Sequence, residues 1–404
     1  MPKWICLLAI PVAVISCSRQ GSQDLVAQRI ARFETGLVPF TSVAALFQAG
    51  PVKSEDRKTL AERMGHYHTP GVSLAVIKDL KLDWARAYGV LKAGRDQRVA
   101  TTSYFEAAST SKLVTAAIVL NYVEKRILDL DEDINAYLKS WKLPESDLTR
   151  RQKVTLRLLL THQAGLPATN FPQKEGAGDP TLIQVLKGES PALNKPAVVE
   201  YVPGTKWQYS NIGYVVIQQV LEDAIGKPFS QVARETVFNP LGMKNSTFVY
   251  PLDGRLRANE AWPHDSQGIL WKPSMCPTAL AHGGLMTTPS DLALFGLELM
   301  RAYNGRSGRL LSKEMARRMF TKILDLDPAV MGGLPVGEGL GVFLYGEGDN
   351  LLFLHPGGNS PGMNCWLLGR PRTGDGAAIM TNGADGEVLA LEIISALSRE
   401  WRQH

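Results

Sequence analysis

Cysteine is scarce in this chain of 404 residues, and its distribution excludes a disulfide scaffold. Two of the four cysteines, Cys6 and Cys17, lie near the amino terminus, which leaves Cys276 and Cys365 for the folded body. Small secreted scaffolds depend on several cysteine pairs. Whether these two distant cysteines meet the geometry of a disulfide stays open at the level of sequence.

An excess of charge of one sign is also missing. Lys and Arg number 44 against 39 Asp and Glu, which gives a net charge of +5, and these residues are scattered along the chain. A nucleic-acid-binding arm would cluster its basic residues. With 45% hydrophobic and 21% charged residues, the composition also differs from that of disordered proteins. We therefore expect a globular protein with a buried core and no nucleic-acid partner.

The first apolar run, residues 4–15, is too short to cross a bilayer of about 30 Å as a helix. We interpret residues 1–17 as an export signal. The stretch Val14-Ile15-Ser16-Cys17 is similar to a bacterial lipobox, which predicts lipid attachment at Cys17. Ordinary signal cleavage near Ser16 to Ser18 is the alternative. Both predict export to the periplasm or cell envelope, and the lipobox predicts a membrane-anchored lipoprotein.

Hydrophobic periodicity divides the remainder of the chain. Residues 18–53 mix short apolar patches with proline and glycine, as in a tether. Residues 54–108 and 338–404 are rich in short β-prone runs, whereas residues 109–337 are mainly helical. The predicted strands are 72–77, 82–88, 342–345, 351–355, 364–368 and 377–381, and the main predicted helices are 112–125, 211–225, 291–303 and 386–402. This order predicts an α/β fold, an antiparallel sheet flanked by helices with an inserted, mainly helical lobe.

A Ser-x-x-Lys motif, Ser109 to Lys112, stands at the start of a predicted amphipathic helix. Residues three apart on a helix share one face, so the Lys112 amine can reach the Ser109 hydroxyl. The helix N-terminus also offers N–H groups to a developing oxyanion. A serine hydroxyl needs such help to act as a nucleophile at neutral pH. The alternative is that Ser109 only caps the helix and Lys112 is solvated.

Tyr209-Ser210-Asn211 forms a second motif, Tyr-x-Asn. Beside an ammonium, the anion of a tyrosine is favoured, so Tyr209 could accept the proton of the serine. Asn211 could orient Lys112 or bind a substrate amide carbonyl. A turn followed by a helix cap is the purely structural alternative.

His355-Pro356-Gly357-Gly358 ends a β-prone run and forms the third motif. Glycines at a strand edge let a substrate lie close to the backbone, and the Gly358 N–H could be a second oxyanion donor. A simple turn after a strand is the alternative.

Together, the three motifs resemble those of the serine β-lactamase and penicillin-binding protein superfamily, and are most similar to class C β-lactamases and family VIII esterases. The resemblance extends from about residue 60 to the carboxyl terminus and includes shorter phrases, among them Leu159 to Leu166, Pro240 to Met243 and Thr288 to Leu292. It implies a β-lactamase/transpeptidase-like fold and an acyl-enzyme hydrolase that acts on a small-molecule or peptide acyl substrate without a cofactor.

In this resemblance, Ser109 is the nucleophile and Lys112 and Tyr209 share the proton transfers. The Ser109 and Gly358 N–H groups form the oxyanion hole beside Gly357, and Asn211 and His355 contact substrate. The chain departs from β-lactamases at His355, where they place a lysine. A histidine with an ordinary pKa of about 6.5 would be mostly neutral at pH 7 and would bind carboxylates better as the pH falls.

That departure favours ester hydrolysis over β-lactam hydrolysis. A class C-like β-lactamase and a D-alanyl-D-alanine carboxypeptidase or D-aminopeptidase remain alternatives. A lipid-anchored penicillin or peptidoglycan sensor is the non-enzymatic alternative, because a stable acyl adduct needs the same motifs. The sequence does not indicate an oligomeric state.

Other motifs are interpreted as structural. Gly358 to Gly362 matches Gly-x-Ser-x-Gly, but Ser360 is followed by an extended run and not by the helix that a nucleophile elbow requires. His66 and His68 lack a third ligand of matching context, so no metal is predicted. The acidic residues between Asp129 and Asp133 lack the spacing of a calcium loop.

Overall fold

A computed structural model describes residues 13–42, 46, 52–273, 275–359 and 361–401, with side chains from residue 23 onward. The strands within these residues are β1 (Gly71–Lys78), β2 (Lys81–Gly89), β3 (Phe105–Glu106), β4 (Met286–Thr287), β5 (Leu324–Asp325), β6 (Gly337–Glu338), β7 (Phe343–Tyr345), β8 (Leu352–Asn359), β9 (Met363–Arg370) and β10 (Asp375–Thr381). Eight of them form one antiparallel sheet in the order β2-β1-β10-β9-β8-β7-β6-β5, and β3 pairs with β4 separately. The predicted antiparallel sheet is thereby confirmed.

The helices lie on both faces of this sheet and in the segment between its two halves. They are α1 (Ala13–Glu34), α2 (Leu60–His66), α3 (Ser111–Glu124), α4 (Asp147–Arg151), α5 (Leu156–Leu160), α6 (Leu182–Lys187), α7 (Asn211–Ile225), α8 (Phe229–Ala233), α9 (Asn239–Leu241), α10 (Gly254–Ala258), α11 (Pro289–Tyr303), α12 (Lys313–Met319) and α13 (Gly386–Trp401). Among the described residues, none of these helices combines the length and the apolar character needed to cross a membrane.

Both faces of the central strands are covered. The side chains of β10 are buried throughout, because α11 packs on one face of the sheet and α13 packs on the other. Strands buried on both faces have continuous apolar runs, as Ala377 to Met380 do here. The sheet is therefore a rigid centre on which the ends of β8 and α3 are held.

The segment predicted as a tether contains part of the folded body. Ile30, Phe33 and Leu37 are buried, and the guanidinium of Arg29 donates to the carboxylate of Asp83 at 2.7 Å. Ile30 and Phe33 lie three residues apart on α1, whereas Leu37 follows the helix and pairs with Lys58, and the proline and glycine content of residues 18–53 masks so short a pattern. Most of the predicted export signal, residues 1–12, lies outside the described residues. The side chain of Cys17 is not described either.

The mainly helical segment also contributes to the sheet. Strands β5 and β6 come from residues 324–338 and form one edge of the sheet, and α11 packs directly against β10 and β1. The sequence predicts extended structure only after about residue 338, because β5 and β6 have two residues each and carry no detectable alternation.

Candidate active site

Ser109 lies in a tight turn that opens α3. A 3₁₀ turn, Ala108–Thr110, leads directly into the helix, and Ala108 has a positive φ of 45°. Such a conformation is uncommon for a residue with a side chain and often marks a functional turn. Ala108 and Thr110 are fully buried, whereas Ser109 is partly exposed. The turn therefore presents the Ser109 hydroxyl from an otherwise buried segment.

Lys112 is fully buried one turn further along, and its amine is directed at the serine. The distance from Lys112 Nζ to Ser109 Oγ is 3.1 Å, and the amine also donates to the backbone carbonyl of His282 at 2.6 Å. Burial lowers the pKa of Lys112 well below its ordinary value. In the part of the chain that the structure describes, no carboxylate forms an ion pair with this amine to restore the pKa. The arrangement favours a neutral amine that can accept a proton.

Tyr209 completes this group. Its phenol hydrogen-bonds the Ser109 side chain, and its ring lies 4.9 Å from Lys112 Nζ. Burial raises the pKa of Tyr209, the bond to Ser109 opposes this effect, and the nearby Glu338 adds to it. The predicted phenolate is thus disfavoured, since the neighbouring lysine is itself pushed toward its neutral form. Of the two groups, Lys112 is the better resting-state base.

Asn211 is the first residue of α7, which the hydroxyl of Ser210 caps by accepting from Gly213 N at 3.2 Å. The Asn211 amide nitrogen donates to the Thr169 carbonyl at 3.3 Å and to Asn170 Oδ1 at 3.2 Å. Its Oδ1 is buried and accepts no hydrogen bond from the described protein. The structure therefore does not support the expectation that Asn211 orients Lys112 through this oxygen.

Gly357 lets strand β8 approach the nucleophile turn. A Cβ atom at this position would overlap the carbonyl oxygen of Ala107 and lie 2.9 Å from the backbone nitrogen of Ser109. Thr110 Oγ1 also donates to the His355 carbonyl at 3.1 Å, so side chain and backbone both join the turn to the strand. Gly358, the next residue, is exposed on the strand edge. The Ser109 and Gly358 backbones consequently lie on facing elements.

His355 does not behave as an ordinary surface histidine. It is 2% exposed, and its Nδ1 donates to the carbonyl of Pro356 at 2.8 Å, since a carbonyl can only accept. Burial is the main cause that lowers its pKa to about 3. The expected titration near pH 6.5 is therefore wrong, because the desolvated ring stays neutral throughout the physiological range.

A cleft of about 590 Å³ opens beside Gly358. Among the described residues that line it, Glu106 carries the one formally charged side chain, and neither Lys nor Arg is present. His355 is not a lining residue, and His282, which is, has a pKa lowered to about 3 chiefly by burial. A substrate carboxylate would consequently find no cation on these walls.

Two buried residues beside Tyr209 were not predicted as functional. His162 lies with its ring centroid 4.3 Å from that of Tyr209 and accepts from Ser210 N through Nδ1 at 3.1 Å. Glu338 accepts from Trp207 Nε1 at 3.3 Å, and burial raises its pKa well above the ordinary value. The phrase from Leu159 to Leu166 is a sequence signal for His162, whereas a lone glutamate on a two-residue strand gives none.

Ser360 lies outside the described residues. The described chain contains no cluster of three His, Cys, Asp or Glu side chains arranged to hold a metal ion. Asp131 pairs with Arg157 at 2.7 Å and Asp133 caps a short turn, so this acidic stretch has structural partners. Cys276 and Cys365 are both buried and free.

Comparisons with known proteins identify the family. A family model described as Beta-lactamase matches residues 57–397. Penicillin-binding protein 4 of Amycolatopsis lactamdurans is 28% identical over 342 residues, which cover 83% of this chain and 85% of that protein. An Escherichia coli O157:H7 protein, provisionally named a D-alanyl-D-alanine carboxypeptidase, is 25% identical over 62% of this chain, but the match spans only 64% of its own length.

Solved structures show the same fold. The D-amino acid amidase of Ochrobactrum anthropi SV3, complexed with L-phenylalanine, gives a TM-score of 0.67 at 22% identity, covering 85% of this chain and 95% of that one. The D-alanine carboxypeptidase AmpC of Burkholderia cenocepacia gives 0.64 at 20% identity, covering 84% and 95%. These identities support the likeness of fold alone. Because the family model spans most of the sequence, the chain belongs to the beta-lactamase family of serine hydrolases, as its three motifs predict.

Proposed function

We propose that this protein hydrolyses neutral esters or amides through an acyl-enzyme on Ser109. The observation that carries this proposal is the absence of a cation from the described walls of the cleft. β-Lactams and peptides that end in D-alanine carry a carboxylate, which needs a partner when it leaves water. The buried and neutral His355 does not supply one. An uncharged acyl substrate avoids this desolvation penalty.

In the proposed acylation step, the Ser109 oxygen forms a bond to the acyl carbon while its proton passes to the neutral amine of Lys112. The carbonyl oxygen takes the electron pair and is held by the Ser109 and Gly358 N–H groups. When the tetrahedral intermediate collapses, the bond to the leaving group breaks and Lys112 returns the proton, with Tyr209 as the hydrogen-bonding partner that relays it. An alcohol or amine leaves.

Deacylation uses the same groups in reverse. A water molecule forms the new bond to the acyl carbon and gives its proton to Lys112, directly or through Tyr209. The bond to Ser109 then breaks, the serine oxygen recovers a proton, and the carboxylic acid product departs. Because the product carries a carboxylate at neutral pH, the lack of a cation on the described walls also favours its release.

A second candidate is the hydrolysis of D-amino-acid amides. A relative in fold is named a D-amino acid amidase, and amides of this kind have no carboxylate at the reacting end. The charge of the cleft is equally compatible with such a substrate. We further propose that the protein acts in the cell envelope, anchored by a lipid on Cys17, which the sequence motif supports.

A substrate panel tests the proposal. Nitrophenyl butyrate, D-phenylalanine amide, nitrocefin and a D-alanyl-D-alanine peptide should be compared by kcat/KM. We expect turnover of the two substrates without a carboxylate to exceed that of the two carboxylates by at least roughly tenfold, which corresponds to about 1.4 kcal/mol. Nitrocefin turnover well above that of the ester would contradict the proposal. A Ser109 adduct that persists with every substrate would instead favour a sensor.

A further inference from the structure

A hydrogen bond crosses the floor of the cleft between two residues to which neither the motifs nor the proposed mechanism gives a role. Asn359 Nδ2 donates to Glu106 Oε2 at 2.7 Å, and the two residues are 253 positions apart in the chain. Glu106 ends β3, three residues before Ser109, and Asn359 ends β8, directly after Gly358. The bond therefore connects the two segments that carry the proposed oxyanion donors.

This bond has a counterpart on the other side of the donors. Thr110 Oγ1 donates to the carbonyl of His355 at 3.1 Å, which fixes the nucleophile turn to β8 beyond Ser109. The Ser109 and Gly358 N–H groups thus lie between two interactions that join the same two elements. Gly357 adds close backbone contact at the centre, and the exposed Gly358 lies opposite Asn364 in the β8–β9 ladder.

The burial of Glu106 argues that this bond is more than a surface contact. Glu106 is 4% exposed although it lines the cleft, and a buried carboxyl group destabilises a protein unless it is hydrogen-bonded. Burial also raises its pKa, so a neutral amide is a fair substitute for the group. Asn359 is only partly buried, which lets its side chain be removed with little disturbance of the core.

We infer that Glu106 is a positioning residue whose hydrogen bond to Asn359 aligns the Gly358 N–H with the Ser109 N–H to form the oxyanion hole. This inference rests on the proposed function for the roles of Ser109 and Gly358. It assigns Glu106 no contact with the reacting atoms. A misaligned Gly358 N–H group is still present in the site. The loss of reaction rate should therefore be smaller than the roughly 100- to 1,000-fold loss that follows removal of a donor.

Reaction with a fluorophosphonate tests the alignment without requiring a known substrate. The Ser109 oxygen forms a bond to phosphorus while its proton passes to Lys112, the P–F bond breaks, fluoride leaves, and the phosphoryl oxygen occupies the oxyanion hole. Glu106→Leu and Asn359→Ala should each lower the second-order labelling rate about 10- to 100-fold. The double variant should lose little more than either single variant, because both changes remove one interaction. Glu106→Gln keeps an acceptor and should stay within about threefold of the parent.

Glu298→Leu is the matched control for a buried carboxyl. Glu298 is 5% exposed on α11 and accepts from Ser307 Oγ at 2.7 Å, away from the cleft. Its removal should lower Tm without changing the labelling rate. If Glu106→Leu fails to fold, Asn359→Ala and the Glu106→Gln rescue still test the bond.

Three results would overturn the inference: full labelling rates in Asn359→Ala, multiplicative losses in the double variant, or a rate loss in Glu106→Gln equal to that in Glu106→Leu. If the Glu106 variants changed KM for amine-bearing substrates but kept the labelling rate of the parent, Glu106 would be a substrate-binding residue instead. Labelling that depends on the Glu106–Asn359 bond, in a protein that hydrolyses no neutral ester or amide, would refute the proposed substrate class and leave this inference standing.

Discussion

The two sides of the reaction centre differ in how their chemistry is determined. On the helix side, Ser109 and Lys112 are three residues apart, and the helix itself brings their side chains within 3.1 Å. On the strand side, His355 has the position of a lysine in the β-lactamase resemblance, yet burial and a bond to Pro356 remove it from the cleft surface. The comparison teaches that the approach of Lys112 to Ser109 depends on local spacing, whereas the surroundings of His355 depend on tertiary burial.

The largest expected effect lies on the helix side. Lys112→Ala should lower kcat/KM for a neutral ester by about four orders of magnitude or more, because nucleophile and base act as one unit. Lys125→Ala, at the exposed end of the same helix, should have little effect. A loss below tenfold in Lys112→Ala, measured by initial rates, would place the base elsewhere and break the comparison.

A smaller effect is expected where the two sides meet. Gly357→Ala should lower kcat by about 100- to 1,000-fold, since the added Cβ would displace β8 from the Ser109 turn and disrupt the oxyanion hole. In Gly358→Ala the added Cβ would lie 3.5 Å from its nearest neighbour, Asn364 Oδ1. The loss of kcat in this variant should therefore be at least tenfold smaller than in Gly357→Ala. Equal losses in the two variants would mean that close backbone approach is not what Gly357 provides.

The smallest expected effect concerns His355 and pH. The ratio of kcat/KM for a carboxylate substrate to that for a neutral ester should stay level between pH 8 and 5.5. The reason is the sign of the pKa shift: a histidine with a pKa of about 3 gains its proton only below this window. Titrations of Lys112 and Tyr209 affect kcat/KM for both substrates, so their effects largely cancel in the ratio. His355→Gln should keep the level profile, and a ratio that rises on acidification in the parent alone would show that His355 binds the carboxylate.

The sequence predicts features that depend on neighbouring residues. The helix over residues 211–225 matches α7 at both ends, because Ser210 caps it and Gly226 ends it in a left-handed conformation. The β1–β2 hairpin and the 3.1 Å approach of Lys112 to Ser109 also follow from local pattern.

Features that depend on distant residues escape the sequence. The bond between Glu106 and Asn359 joins residues 253 positions apart, and neither is a fixed position of the three motifs. The neutral state of His355 results from burial among elements of the sheet, which no spacing reveals. Glu338 approaches Tyr209 because a two-residue strand adds to the sheet edge, and so short an element gives no periodic signal.

Identification of the residue that a fluorophosphonate modifies tests the central claim most directly. Intact protein should be incubated with the probe, digested and sequenced by tandem mass spectrometry, with Ser109→Ala treated in parallel. We predict one adduct, on the peptide that contains Ser109, and no adduct in the variant. Full labelling of Ser109→Ala, or an adduct on Ser360 in the parent, would contradict the account.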